Sequence, residues 1–592
     1  MISSYYIVGW YWFLVATITS IPKGHKSSPR RTITPSVSAF ARDLLRLSGT
    51  PGLSLGIVYL DGPNKLEEEY GTWGMMTEDG DKVTQEIVFN VGSCSKAFVS
   101  AAMGILIDDF EHGRNKTPLP PDIKSLSWKT KIHHLLPEWE LMDPVASRMA
   151  NIQDILSHVS GLSRHDFMLS DQDTSLSVLP RMRHLKPAYE FREKNSYNNM
   201  MYLVGARIVT KYADMDFIEF VRQRIFEPLN MSTSTYFAEP AKRSGLLSHA
   251  FGEQSRRIPF WFEGQEELFA GPGGVLSSAV DMNKWLAMLL NGGINPRTNK
   301  TVIPKAALDA ATVAHSVMFN RAPLPELSIV GYGMGWTRQS YRGHEVIAHA
   351  GNMHGYSAYM AFFPWDGFGL VALSNMDGND DNGRRLAPSD VPFAIMTRAT
   401  DSVLGLRSSS STDSHIDLVS RDLTRMDPFL VQPVTQNLSA TPPLPIHMYE
   451  GTYTHPAYGS FTLCSSSSTT PQCQSVLATF SSVYPNLSAS DLVASWPRFW
   501  TKQLHLQPGS GNEFSVRVTR IFPKGYGSNT RPFEQRQPYE AFSGEFVLEA
   551  GHVKGLAMPQ GFQALPDLDF DSNGNIADNA QVYFRRIQAE QL

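Results

Sequence analysis

The sequence predicts a mixed α/β (α+β) fold in two unequal domains, and three observations carry that expectation. From about Ser36 to Leu404, segments with apolar residues at helical spacing alternate with short β-rich runs such as PGLSLGIVYLDG (Pro51–Gly62), which ends in a turn signal. The stretch Ser408–Pro445 is rich in Ser, Thr and Pro and keeps no sustained period. Beyond it come short alternating runs, GTYTHPAYGSFTL (Gly451–Leu463), FSVRVTRIF (Phe514–Phe522) and GEFVLEAGHVKGLAM (Gly544–Met558), separated by Gly, Asn and Pro. That spacing describes a small antiparallel barrel or sandwich.

Taken in order, residues 1–22 contain an apolar run from about Tyr5 to Ile21 that ends in small polar residues before Lys23. This is the pattern of a secretory signal, with an uncleaved anchor as the alternative because no Lys or Arg precedes the run. Export makes the Asn-x-Ser/Thr sites at Asn115, Asn230, Asn299, Asn437 and Asn486 available for glycosylation. Residues 36–404 form the large domain, 405–445 a linker and 446–592 the small β-domain. A chain of 592 residues, 42% hydrophobic and 11% aromatic, can bury a large core. Its formal charge of −5 leaves no basic surplus for nucleic acid, which is excluded as a partner. Cys464 and Cys473 are close enough to be bridged across a hairpin, while Cys94 is expected to be a lone buried thiol.

The residues that carry chemistry begin in FNVGSCSKAFVSAAMGILIDD (Phe89–Asp109). Apolar Phe98, Ala101, Ala102, Ile105 and Leu106 recur at helical spacing, so a helix is expected to begin near Ser93. Three residues along a helix bring the Lys96 amine within reach of the Ser93 hydroxyl. A hydroxyl is a weak nucleophile until a base takes its proton, and a desolvated lysine can be that base. Taken alone, the pair reads more readily as a helix cap and a first-turn lysine than as a catalytic dyad.

Two further stretches change the balance. In FREKNSYNNMMYLVGARIV (Phe191–Val209), Tyr197 and Asn199 precede an apolar helical run, where both side chains can enter a cleft: Tyr can relay protons, and Asn can hold a carbonyl or an amine. In HEVIAHAGNMHGYSAYMAFFPWDGFGLVALSN (His344–Asn375), a strand ends in His349-Ala350-Gly351, followed by a Gly-containing loop and two more apolar strands. His133, His134, His158 and His165 form no metal-ligand pattern and read as surface or packing histidines.

Ser93-Cys94-Ser95-Lys96, Tyr197-Asn198-Asn199 and His349-Ala350-Gly351 stand in the order, and at roughly the spacing, of the three active-site motifs of the serine β-lactamase and penicillin-binding superfamily. The chain most resembles the branch holding class C β-lactamases, D-aminopeptidases, esterases and transesterases. Segments that resemble family signposts connect the motifs: IQDILSHVSGL (Ile152–Leu162), IFEPLNMSTST (Ile225–Thr235), GPGGVLSSAVDMNKWLAMLLNGG (Gly271–Gly293) and GYGMGWTR (Gly331–Arg338). The resemblance implies a β-lactamase/transpeptidase-like fold, an antiparallel sheet flanked by helices plus an all-helical region, and it likens the C-terminal domain to the lipocalin-like domain of some relatives.

It also implies the roles. Ser93 is the acylated nucleophile, Lys96 its base partner, and Tyr197 shuttles protons to the leaving group and activates the deacylating water. Asn199 orients the substrate carbonyl or the Lys96 amine, and the oxyanion hole is the Ser93 amide with the Asn352 amide after Gly351. No metal and no cofactor is implied. The third motif departs from the Lys-Thr/Ser-Gly form: His349 replaces the cation and Ala350 the hydroxyl that grip a substrate carboxylate. The expected activity is therefore a serine hydrolase or acyltransferase of the esterase or transesterase type, acting on a small-molecule ester, thioester or amide. A D-aminopeptidase or β-lactamase-type amidase is the alternative, and a non-catalytic scaffold the reading from another class. Membrane contact follows only if residues 1–22 remain as an anchor. Phe260, Trp261 and Phe262 are candidates for a pocket wall, with core or lid packing as the alternative.

Overall fold

The computed structural model describes residues 31–62, 65–252, 255–378, 386–406, 441–536, 541–563 and 574–587. The 1–22 segment, Asn437 and all of the linker but its first two and last five residues lie outside these. The other four Asn-x-Ser/Thr asparagines are exposed.

The chain enters the large domain through α1 (Pro35–Ser48), whose Thr34 side chain accepts from the Val37 amide, with Pro35 at the first helical position and Gly49 left-handed at the exit. The central sheet is built from β1 (Gly52–Leu60), β2 (Leu66–Gly74), β3 (Ser316–Phe319), β4 (Val330–Tyr332), β5 (Thr337–Tyr341), β6 (His344–Met353), β7 (Tyr356–Phe363) and β8 (Phe368–Ser374). Its order is β2-β1-β8-β7-β6-β5-β4-β3, and every pairing is antiparallel.

Both faces of the sheet are covered, which explains why β1 and β8 read as unbroken apolar runs rather than alternating ones. Leu53, Leu55, Ile57 and Tyr59 pack on one face with α1 and α6 (Val391–Leu404), while Val58, Val371 and Leu373 join the core on the other. There α5 (Ala279–Leu290) lies against β1 and β8. Deeper still is α2 (Lys96–Glu111), buried on nearly all sides, as a helix apolar all round must be. It packs against α3 (Asn199–Ala213) and α4 (Glu266–Gly273) of the helical region.

The C-terminal domain is a closed antiparallel barrel. Its strands are β9 (Gly451–His455), β10 (Gly459–Ser465), β11 (Leu492–Ser495), β12 (Gln503–Pro508), β13 (Glu513–Phe522), β15 (Phe542–Glu549), β16 (His552–Met558) and β17 (Val582–Arg586), with β14 (Phe533–Arg536) added to β13. Pairing of β12 with β13 and of β17 with β9 closes the ring of eight. Closure removes exposed edges, and in this barrel rings fill the interior: Tyr453, Phe461, Trp496, Phe546 and Phe584 contact one another in a continuous cluster.

Cys464 and Cys473 form a disulfide, yet not across a hairpin: it joins β10 to α7 (Pro471–Ser481), the helix inserted before β11. Cys94 is buried and free of a bridge.

Candidate active site

The turn that carries Ser93 starts one residue earlier and coils more tightly than the periodicity suggests. Gly92–Ser95 is a 3-10 turn and the α-helix proper begins at Lys96. Gly92 has φ 52°, and the turn presses against β6 so closely that a Cβ on Gly92 would lie 2.6 Å from the Asn352 amide nitrogen. A Cβ on Gly351 would collide with the Val91 carbonyl and lie 3.0 Å from the Ser93 nitrogen. Glycine is required on both sides of this contact. Here β6 does not stop at the third motif; it continues to Met353, so Gly351 and Asn352 are strand residues, not loop residues. Its pairing with β5 ends at Ala348, so no strand pairs with Ala350–Asn352 on that side among the described residues, and the Ala350 carbonyl lies 2.6 Å from His349 Nδ1.

Ser93 Oγ sits between two partners. Lys96 Nζ is 2.9 Å away, and the Tyr197 hydroxyl donates to Oγ at 2.8 Å. Tyr197 is held just ahead of α3, where Asn198 caps the helix by accepting from the Met200 amide and Asn199 is the first helical residue. Lys96 is fully buried and reaches two further acceptors, Asn199 Oδ1 at 2.7 Å and the Pro272 carbonyl at 2.8 Å, the latter from the Gly-rich signpost.

Burial holds the Lys96 amine well below the usual lysine range, and the Arg164 guanidinium pushes it the same way. Burial pushes the Tyr197 phenol in the opposite direction, above its ordinary value. Burial thus favours the free amine at Lys96 and the protonated phenol at Tyr197. A neutral amine has two N–H groups and one lone pair. The two carbonyl oxygens accept both N–H groups, so the lone pair is left for the Ser93 proton.

Sequence reasoning missed the layer beneath. Asp166 Oδ2 accepts from Asn199 Nδ2 at 2.7 Å, which turns the Asn199 carbonyl toward Lys96. The same oxygen accepts from Arg164 Nε at 2.6 Å. The Arg164 guanidinium lies 5.8 Å from the centre of the Tyr197 ring. The available signal was a charged pair, Arg164 and Asp166, immediately after the IQDILSHVSGL signpost and ahead of apolar Phe167-Met168-Leu169.

His158 is fully buried at positive φ, 4.3 Å from the Tyr197 ring, and its Nδ1 accepts from the Asn198 amide at 3.1 Å. His165 is also buried, its Nδ1 2.8 Å from the Tyr458 hydroxyl of the barrel. Both are packing histidines, and neither is at the surface.

His349 is buried, its Nε2 3.0 Å from the Tyr332 hydroxyl; burial and the neighbouring Lys96 push it down to about 3, so it is neutral. Cys94, whose Sγ donates to the His349 carbonyl at 3.2 Å, is pushed up to about 12 by burial and is unreactive as a thiolate. Phe260, Trp261 and Phe262 are all buried: Trp261 Nε1 donates to the Phe499 carbonyl at 2.7 Å, Phe262 stacks on Phe499, and Phe260 packs on Tyr356. Packing against the barrel and β7 is where the structure puts them. A cleft of about 1400 Å3 opens beside Tyr197 between the Arg192–Ser196 segment and β3, with Gln563 of the barrel at its border.

The barrel also reaches the site itself. Gln563 Oε1 accepts from the Arg164 amide at 2.8 Å, the Phe499 amide donates to the Leu169 carbonyl at 2.8 Å, and Phe167 packs against Phe562 and Phe542.

Known proteins resemble this chain in sequence and in fold. The sequence is 26% identical over 472 residues to an unguisins hydrolase of Aspergillus violaceofuscus, covering 74% of this chain and 78% of that protein. It is 25% identical over 335 residues to penicillin-binding protein 4 of Amycolatopsis lactamdurans, covering 55% of this chain and 81% of that protein. Among solved structures, the octameric penicillin-binding protein homologue from Pyrococcus abyssi shares the fold, with a TM-score of 0.51 at 17% identity over 88% of this chain and 97% of that one. The sequence pattern of the Beta-lactamase family matches residues 37–392, more than half of the chain, and the protein therefore belongs to the Beta-lactamase family, as a hydrolase.

Proposed function

We propose that the protein is a metal-independent serine hydrolase that forms an acyl-enzyme on Ser93 with an ester, thioester or small amide. The observation that carries this reading is the geometry at Ser93 Oγ, which lies 2.9 Å from Lys96 Nζ and accepts from the Tyr197 hydroxyl at 2.8 Å, so that the lone pair of a neutral Lys96 is in reach of the Ser93 proton. As Oγ bonds to the substrate carbonyl carbon, its proton passes to Lys96. The carbonyl oxygen becomes an oxyanion facing the amides of Ser93 and Asn352, a contribution on the order of 3 kcal/mol per donor. Collapse breaks the bond to the leaving group, which takes a proton from Tyr197, and Tyr197 is recharged from Lys96. Water then attacks the ester by the same route in reverse and frees the acid.

The neutral His349 and Ala350 offer no cation or hydroxyl for a substrate carboxylate, which favours ester or amide acyl groups without one. Water as the acceptor is supported by the relative named as an unguisins hydrolase. Intact-protein mass spectrometry after incubation with p-nitrophenyl esters of increasing chain length and with a fluorophosphonate tests the route. An adduct at Ser93 that is absent from Ser93→Ala is expected; a folded native chain that takes no adduct would overturn it.

Export through residues 1–22 belongs to the same proposal. The Cys464–Cys473 disulfide supports it, because such bonds persist in oxidising compartments. Secreted protein whose mass shows loss of the first ~22 residues is the expected result; retention of the full chain in the membrane fraction would show an anchor.

A further inference from the structure

The cleft beside Tyr197 has two features that the acyl-enzyme steps do not use. One wall is β3, the last strand of the sheet: it pairs with β4, and no strand pairs with its other side among the described residues. Such an edge presents backbone N–H and C=O groups to which an extended chain can add. Its inner end is tied to the segment before Tyr197, where Asn195 Nδ2 donates to Ser316 Oγ at 3.0 Å and Ser316 Oγ donates to the Ser157 carbonyl at 2.9 Å. Past that tie, Val317 is 53% exposed.

The second feature is charge. In a chain with a net charge of −5, five cations line this cleft against two carboxylates, Asp154 and Glu193. Arg192 is committed to Asp154 by two hydrogen bonds, at 2.9 and 2.8 Å. Lys129, Lys131 and Arg321 have no ion-pair partner among the described residues; Lys129 Nζ donates to Gln153 Oε1 at 2.8 Å and Lys131 Nζ to the Met149 carbonyl. A cleft with a surplus of one sign concentrates ligands of the other.

We infer that this cleft takes the leaving-group half of the substrate, and that this half is an extended acidic peptide segment, its backbone added to β3 and its carboxylates beside Lys129, Lys131 and Arg321. The placement of the leaving group rests on the acyl-enzyme reading, in which Tyr197 protonates it. The affinity for an acidic peptide does not.

Fluorescence anisotropy with labelled tetraglutamate amide and tetralysine amide separates the two. The acidic peptide is expected to bind on the order of tenfold more tightly or better, with the advantage shrinking as salt is raised. In Lys129→Glu/Lys131→Glu/Arg321→Glu the preference reverses; Arg321→Glu alone, at an exposed side chain, weakens it if the triple variant does not fold. Equal affinity for both peptides would overturn the proposal. N-methylation of alternate residues weakens binding if the backbone adds to β3; unchanged affinity removes that part. Unlabelled tetraglutamate should slow acylation of Ser93 by a p-nitrophenyl ester competitively, and binding without competition would overturn the placement. If the ester never acylates Ser93 while the peptide still binds, the acyl-enzyme reading fails and the peptide site stands.

Discussion

At the scale of single residues, the centre is set by where protons rest before substrate arrives. Lys96 must be neutral to accept the Ser93 proton, so kcat/KM rises with pH through the depressed Lys96 pKa. Arg164 helps to hold that pKa down, and removing a nearby cation lets it rise. Arg164→Gln is therefore expected to shift the acid limb of the kcat/KM profile to higher pH, and an unmoved limb would show that Lys96 does not govern it. Lys96→Met removes the lone pair without adding a charge to the buried site, and acylation by a p-nitrophenyl ester should fall by about 10²–10⁴ in protein whose circular dichroism shows it folded. Ser93, Lys96, Tyr197 and Asn199 were legible in the sequence because fixed short spacings carry them. Asp166 and Arg164 were not: their effect on Lys96 passes through Asn199 and through space, and neither path leaves a period or a spacing.

At the scale of elements, the decisive packing is the 3-10 turn of Ser93 against β6. Gly351→Ala would drive the Val91 carbonyl and Ser93 amide away from β6 and open the site where the oxyanion is to be held. Loss of one such donor costs about 10²–10³ in kcat, and a fall of that order in ester turnover with circular dichroism unchanged is expected. The periodicity of Phe98–Leu106 located α2, but its start was misplaced because a 3-10 turn shares the helical pattern while its backbone is set by the strand behind it. The disulfide was legible as a pair, though its geometry was not, since the Ser/Thr-rich residues before Cys473 showed neither strand alternation nor a helix. It ties α7 to β10 across a separation of nine residues, so Cys464→Ser/Cys473→Ser should cost ~2–3 kcal/mol of barrel stability in denaturant titrations.

For the whole molecule, the two domains were legible as composition and strand spacing, while their union was not, because nothing local marks Tyr458 as the partner of His165. Burial pushes His165 down to about 4, against about 6.5 for an unfolded histidine. The unfolded chain therefore binds more protons between these values, and stability rises with pH across that window. As pH falls from 6.5 toward 4, tryptophan fluorescence from Trp261 and Trp500, which lie where the domains meet, should report loosening there; His165→Gln should reduce that response, the remainder coming from His455, which packs on Tyr458 and is also pushed down to about 4 by burial. The same junction has a consequence for how the protein is made. Ser93 and Lys96 leave the ribosome hundreds of residues before Tyr458, Phe499 and Gln563, which clamp the loop that aligns Asn199 on Lys96. A nascent or prematurely terminated chain carries Ser93 and Lys96 without these contacts, so the clamp on the loop that aligns Asn199 is complete only once the last domain has been synthesised and closed.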